Sequence, residues 1–420
     1  MPSYGATDEE ATKSGTLSGH ADGTAPGAPL EGVLVLELGQ IYNGPYCGLL
    51  LAHLGATVIK VEPLQGEPTR WRSASTEAYP FLMLNAGKVG MTLNLKHPRG
   101  RDLFLALAER ADVVVENFSY GVMERLGLGF DVLHRVNPRL VLASSSGFGS
   151  SGPYRDLPAM DLTIQAMTAI MSVTGFPEDP PVKAGVALSD FLGGVHLFGG
   201  ILAALLQRER TGLGQRVEVA MQDAVIPTLA SNLGGLFEGT LPPAERNGNR
   251  HGGMAMCPYN VYEALDGWVA IFCVTDAHWS TLCGVLGRAD LAADARLIST
   301  PARVAAAEDI DQAVEGWTRM RTESDIVQRL RSVGIPTAEV KQLKQLVVDP
   351  QVQARGMLPT HSHPTMGDVH YFGTPIRVGT PNAGGLGPAP LLGQHTRDVL
   401  SSYLGLEPAA IDDLKAEGVV

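Results

Sequence analysis

From Gly32 onward, short runs of almost wholly apolar, β-branched residues alternate with amphipathic stretches, a pattern that few folds can absorb. The runs are VLVLEL (33–38), TVIKVE (57–62), MTLNL (91–95), VVVE (113–116) and RLVLASS (139–145). Between them, helical stretches are expected from Pro45 to Leu54 and from Pro98 to Arg110. A strand with one wet face alternates apolar and polar residues, whereas a strand apolar throughout must be covered on both faces. Such strands separated by helices predict an open α/β domain built on a parallel sheet. At 420 residues, 45% of them hydrophobic, the chain exceeds the roughly 250–300 residues at which single cores stop growing. A second domain is therefore expected.

Composition shifts mark the boundaries. Residues 1–28 are rich in Gly, Ala, Ser, Thr and Pro, with neither a basic start nor an apolar h-region, and are expected to be a disordered tail rather than a secretory signal. The large α/β domain is placed at 29–227. A smaller α+β domain at 228–335 opens with GTLPPAERNGNRHGG and continues through the strand pattern WVAIFCV. The remainder, 336–420, reads as a helix near Val340–Leu346, a Gly/Pro-studded strand region to Pro388 and a last helix over Thr396–Leu404, returning to the large domain. The most apolar helical candidate, Val195 to Leu206, is short of the roughly 20 residues of a membrane span, so a soluble protein with no membrane partner is expected.

Charge and cysteine usage narrow the function classes. A net charge of -12, from 32 Lys+Arg against 44 Asp+Glu, excludes a nucleic-acid binder held by bulk electrostatics. Cys47, Cys257, Cys273 and Cys283 form no CxxC pair, which predicts reduced thiols and a cytoplasmic location. The histidines include no HExxH, and His361 and His363 read as part of a solvated loop, so no metal site is expected. Glu62 ends the second strand where dinucleotide folds hold a ribose, but Gly39, Gly44 and Gly48 do not give the GxGxxG that brings backbone against a pyrophosphate.

Longer stretches carry a resemblance: VLELGQIYNGPYCGLLLAHLGATVIKVEP, ADVVVENFSYGVMERLGLGFDVLHRVNPRLVLASSSGFG, VKAGVALSDFLGGVHLFGGILAALLQRERTGLGQRVEVAMQDAV and PLLGQHTRDVL. Over about residues 30–405 the chain resembles the family III CoA-transferases, the superfamily of formyl-CoA transferase, carnitine CoA-transferase and α-methylacyl-CoA racemase. The resemblance implies an open Rossmann-like large domain, an intertwined homodimer with itself as partner, and no permanently bound cofactor. Coenzyme A arrives as a thioester substrate, and its CoA passes from an acyl-CoA donor to a free carboxylic acid.

Local sequence makes Asp190 a helix N-cap, because Asp and Ser accept the free amide hydrogens of a first turn. The resemblance makes it the nucleophile that forms an aspartyl mixed anhydride and then an aspartyl-CoA thioester. It further implies CoA contacts at Tyr42, Asn43, Leu93, Asn94, Leu95, Lys96, Asn117, Phe118, Ser119 and Arg125, with Asp161 close to the site. Arg70 is a further cation available to the CoA phosphates. A mobile substrate loop falls on His251, Gly252 and Gly253. Two departures affect substrate choice: the family's glutamine near the oxalate site is Tyr42 here, and a lysine near the CoA site is Pro158. The alternative function is an α-methylacyl-CoA racemase or epimerase using the same CoA site. That chemistry needs a second acid/base, and the histidine of the racemase branch is replaced by Met160, whose thioether carries no proton.

Overall fold

The computed structural model describes residues 27–73, 77–242, 245–379 and 385–420. In chain order its main elements are β1 Leu34–Glu37, α1 Asn43–His53, β2 Thr57–Glu62, β3 Val89–Thr92, α2 Pro98–Ala108, β4 Val113–Glu116 and β5 Val141–Ser146. There follow α3 Asp161–Met167, α4 Leu188–Thr211, β6 Arg216–Ala220, β7 Tyr259–Glu263, β8 Trp268–Phe272, α5 Ala307–Thr318, α6 Glu323–Ser332 and β9 Thr337–Glu339. The chain closes with β10 Thr360–His363, β11 Gly367–His370, α7 Thr396–Leu404 and α8 Pro408–Ala416. It divides into two compact units, one of residues 1–158, 190–221 and 355–420, the other of 159–189 and 222–354.

The first unit is built on a six-stranded sheet in the order β3-β2-β1-β4-β5-β6, with every pair parallel. Successive residues of one strand feed opposite cores. Val35, Val113 and Val115 join a cluster with Leu49, Leu51, Leu197 and Ile201. Leu34, Leu36 and Val114 join another with Phe104, Leu107, Val399 and Ile411. This is the physical reason the strands read as apolar on both sides, since helices cover each face. Of residues 336–420, expected to return to the large domain, 355–420 belong to this unit and 336–354 to the second. Within this unit Thr396 Oγ1 accepts the Thr92 N–H at 3.0 Å and the Val419 carbonyl accepts that of Asn94 at 2.8 Å. The tail expected at 1–28 lies outside the described residues except for Gly27 and Ala28, which form a turn in which the Gly27 N–H reaches Glu31 at 2.9 Å.

The second unit packs the antiparallel sheet β7-β8-β9 against helices, with Tyr262, Val269, Ile271, Ile310, Val314 and Leu330 in its core. It takes in residues 159–189, which the sequence pattern alone assigns to the large domain.

Two expectations are corrected. The stretch HSH is no solvated loop: it forms β10, and His363 is buried there, its imidazole pushed below the usual histidine range by burial. The apolar stretch at Val195–Leu206 is the middle of a 24-residue helix, long and apolar enough to cross a membrane. Its length therefore does not exclude a span. Its packing gives the reason for its composition, because Leu197, Phe198, Ile201, Ala204 and Leu205 are buried in the sheet's core.

Candidate active site

In an open parallel sheet, ligands bind beyond the strands' carboxyl ends where the strand order reverses. Here that point lies between β1 and β4, which run parallel side by side although they are not consecutive. The segment after β1, Gln40–Asn43, meets the segment after β4 through Asn117. Asn117 Oδ1 accepts the Gln40 N–H at 2.7 Å, and its Nδ2 donates to the Gln40 carbonyl at 3.0 Å. A β-carbon at Gly44 would stand 2.6 Å from the Gly39 Cα, so this turn requires both glycines for close approach rather than for phosphate binding.

A buried ionic cluster anchors the same turn. Glu37 at the end of β1 is wholly buried between Lys60 Nζ at 3.0 Å and Lys88 Nζ at 2.6 Å. Lys60 also donates to the Gly39 carbonyl, and Lys88 to the Pro45 carbonyl at 2.8 Å. Burial depresses the Lys88 ammonium to about 8 despite Glu37. For Lys60, burial acts downward as well, but Glu37, Glu67 and Glu62 together outweigh it and raise its pKa.

Asp190 lies half-buried in the first turn of α4. The next residue, Phe191, is gripped by two aromatics of the β1–α1 segment, Tyr42 stacked at 6.0 Å and Tyr46 edge-on at 4.8 Å. Tyr42 Oη accepts from Arg72 Nη1 at 3.3 Å, and the Arg72 guanidinium sits over its ring. A β-carbon at Gly193 would fall 2.2 Å from Asn43 Nδ2, and one at Gly194 2.6 Å from the Asn43 carbonyl oxygen, so these glycines let α4 close onto the start of α1.

The residues that precede Asp190 in the chain are held within the second unit. Asp161 Oδ1 accepts the Ser189 N–H at 2.8 Å, and its Oδ2 accepts from Gln165 Nε2 at 2.7 Å. Gln165, fully buried, also takes the Ala184 N–H at 2.9 Å and donates to the Val186 carbonyl. Asp161 thus opens α3 and at the same time supplies the acceptor for an amide in the first turn of α4. His251 organises its own loop, its Nδ1 accepting from the amides of Gly253 at 3.2 Å and Ala255 at 3.3 Å, with Tyr259 edge-on to the ring. Gly252 and Gly253 lie against Asn232 and the Ser231 carbonyl, where a β-carbon would clash. Neither glycine has the positive φ that would mark a left-handed hinge.

The structure therefore brings Tyr42, Asn43, Asn117 and the part of α4 from Asp190 onward together in one unit, and His251 to Gly253 in the other. Leu93 is buried and available to a ligand only through its backbone, its N–H already donated to the Glu62 carbonyl. Asn94 is tied to the C-terminal segment, while Leu95 is half-buried and Lys96 exposed. Phe118 is half-buried, Ser119 exposed, and Arg125 exposed beside Gly121. Arg70, expected to serve phosphates, is not available. It is 3% exposed and held by Glu62 at 2.8 Å, Glu77 at 3.1 Å and the Pro390 carbonyl at 3.1 Å. Glu62 is thereby engaged by a cation eight residues away. Sequence reasoning missed Tyr46, Phe191 and Arg72, although an aromatic next to the ALxD stretch and two in IYNGPY were a usable signal.

It also missed Glu116, which lines a cleft with Phe118, Ser119, Ser144, Arg216 and Glu218, reaching from the end of β4 across β5 and β6. Burial pushes its carboxyl up to about 7, against the opposing hydrogen bonds from Ser144 and the Phe118 N–H. An acid whose folded pKa is raised contributes stability that is full below its unfolded value near 4.5 and lost as pH rises through about 7. Glu116→Gln should therefore stabilise the protein by about 2–3 kcal/mol more at pH 8 than at pH 4.5, from roughly 1.4 kcal/mol per pKa unit. Paired denaturant titrations of wild type and variant at the two pH values check this; an equal difference at both would refute the burial argument.

A profile of CoA-transferase family III matches residues 30–396. Acetyl-CoA:oxalate CoA-transferase of Acetobacter aceti is 37% identical over 84% of this chain and 90% of its own length. Succinate–glutarate CoA-transferase of Agrobacterium fabrum is 34% identical over 91% and 97%. The crystal structure of a CAIB/BAIF family protein from Brucella suis superposes with a TM-score of 0.78 at 33% identity, covering 90% of this chain and 99% of that one. With the family matched across nearly the whole chain and its relatives named as CoA-transferases, this protein belongs to CoA-transferase family III and is a CoA-transferase.

Proposed function

We propose that the enzyme moves CoA from an acyl-CoA donor to a free carboxylic acid through covalent intermediates on Asp190. The observation that carries this reading is the placement of Asp190 in the first turn of α4, packed through Phe191 and Gly193 against the residues that follow β1. A helix N-terminus favours the ionised carboxylate, the form that attacks a thioester carbonyl. Attack expels CoA thiolate and leaves the donor acyl group on Asp190 as a mixed anhydride. Thiolate then attacks the aspartyl carbonyl, releasing the donor's carboxylate and forming an aspartyl-CoA thioester. The acceptor carboxylate displaces the thiolate to give a second anhydride, and thiolate attack on its acceptor carbonyl yields the new acyl-CoA and frees Asp190.

Relatives are named for oxalate, glutarate, L-malate and D-citramalate, all of which are carboxylates. An exposed guanidinium, that of Arg72 over Tyr42, supplies a cation suited to such an acceptor. Met160 favours transfer over racemisation, since it is 52% exposed at the N-cap of α3 and cannot exchange a proton. CoA is assigned to the groove beyond β1, β3 and β4, with Tyr42, Asn117 to Ser119, Lys96 and Arg125 along it. The His251–Gly253 loop is assigned to the substrate side, and the protein to the cytoplasm. An intertwined homodimer agrees with the large apolar side chains left uncovered, among them Phe237 at 81%, Leu343 at 82% and Met320 at 76% exposure.

The test is chemical trapping. Enzyme mixed with an active acyl-CoA donor and hydroxylamine should yield an aspartyl hydroxamate on the peptide containing Asp190, read by mass spectrometry. Failure to find any adduct there with every active donor would overturn the covalent route.

A further inference from the structure

Asn43 is wholly enclosed, and neither Nδ2 nor Oδ1 of its side chain has a hydrogen-bond partner. A buried amide left in that state weakens a fold, and such groups call for an explanation. Its surroundings supply one. Asn43 opens the 11-residue helix α1, and its Nδ2 occupies the space a side chain at Gly193 would fill. Residues three and four apart on a helix form one stripe, with β-carbons about 5–6 Å apart. Asp190, Gly193, Gly194 and the buried Leu197 are such a stripe on α4. The Asn43 amide therefore lies beside the helix face from which Asp190 projects, and the grip of Tyr42 and Tyr46 on Phe191 fixes that register.

We infer that Asn43 Nδ2 donates to the oxyanion that develops on Asp190 itself. The inference rests on the covalent reading of Asp190. In the two middle steps of transfer the tetrahedral carbon is Asp190 Cγ rather than a substrate carbon. When thiolate attacks the mixed anhydride, a C–S bond forms at Cγ and the carbonyl oxygen takes the electron pair. That pair then returns as the bond to the donor carboxylate breaks. No proton moves. The oxygen that carries the transient charge belongs to a residue fixed on α4, so a donor fixed on the neighbouring helix can be in place before either substrate arrives. The first turn of α1 adds its own partial positive charge at the same point. Asn43 is thus a catalytic residue for the steps at Cγ; wholly enclosed, its side chain is not the CoA contact that the resemblance implies, and CoA affinity does not depend on it.

The experiment is a burst measurement: wild type, Asn43→Ala and Asn43→Ala/Gly193→Ala are each mixed with an active acyl-CoA and no acceptor. Release of one equivalent of the donor's carboxylic acid per site is then timed. Asn43→Ala should slow the burst about 100-fold, the scale of removing one oxyanion donor, with the dissociation constant for CoA changed less than threefold. In the double variant the methyl group introduced at position 193 refills the space, so packing and thermal midpoint recover, whereas the burst stays slow. This variant carries the test if Asn43→Ala alone does not fold. A burst within threefold of wild type in either folded variant would overturn the inference and leave the Asp190 route standing. A wild-type enzyme with turnover but no burst and no adduct on Asp190 would overturn that route, and this inference with it.

Discussion

Asp190→Ala is expected to lower transfer by at least about 10⁴-fold while CoA still binds with nearly wild-type affinity. A carboxylate is a weak nucleophile, so the rate must come from holding it against the thioester, for which effective molarities of roughly 10⁵–10⁸ M are available. Deleting a nucleophile removes that whole contribution, as in hydrolases where it costs about 10⁶-fold. The substitution should leave the fold intact. Ala is a good helix former, the Ser189 amide keeps its acceptor in Asp161, and Phe191 keeps its place against Tyr42 and Tyr46. The CoA groove assigned beyond the strand ends does not include the Asp190 side chain. The check pairs steady-state transfer with calorimetric CoA binding. Turnover within tenfold of wild type would remove Asp190 from the mechanism. Equal loss of CoA binding and activity would instead point to a collapsed site.

The strands were the most legible part of the fold. TVIKVE and VVVE form strands over the residues read for them, since a run buried on both faces leaves little freedom for its ends. Helix α4 was harder. Its start reads as a cap at Asp190, whereas the helix begins at Leu188 and Asp190 lies inside its first turn. Four glycines, at 193, 194, 199 and 200, look like interruptions of a helix. Their reason is tertiary: at 193, 194 and 200 a β-carbon would collide with Asn43 or Val217. A side chain's partners were not legible either. Arg70 read as a free cation although the carboxylates that hold it, Glu62 and Glu77, are only eight and seven residues away. Nothing in the sequence shows that the chain folds back to bring them together, and the third partner, the Pro390 carbonyl, lies 320 residues on. In the same way Asn117 was picked out by resemblance, while its role in bridging to Gln40 needed the strand order β1-β4.

Glu37→Met should destabilise the protein by about 3–5 kcal/mol, the cost of removing one partner from a buried ion cluster. Methionine matches glutamate in length and fits beside Gly48, where a β-carbon would fall 1.9 Å from Glu37 Oε2. The loss is therefore electrostatic rather than steric: Lys60 and Lys88 are left buried with no shared anion. Lys88 responds first, because its pKa is already down at about 8 with Glu37 present, and loss of the carboxylate that raises it lowers it further. A base with a depressed folded pKa binds fewer protons folded than unfolded. Stability of the variant should then rise with pH through the window between the new Lys88 value and its unfolded value of 10.5. Replacing all three residues, as in Glu37→Met/Lys60→Met/Lys88→Met, should recover most of the loss, since an apolar cluster of similar volume has no charge to desolvate. Urea midpoints of the two variants at pH 7 decide the point, and a triple variant no more stable than the single one would show that packing dominates. Activity should not recover with stability. Lys60 and Lys88 hold the carbonyls of Gly39 and Pro45, and the turn between those two residues carries Tyr42 and Asn43 against the helix of Asp190.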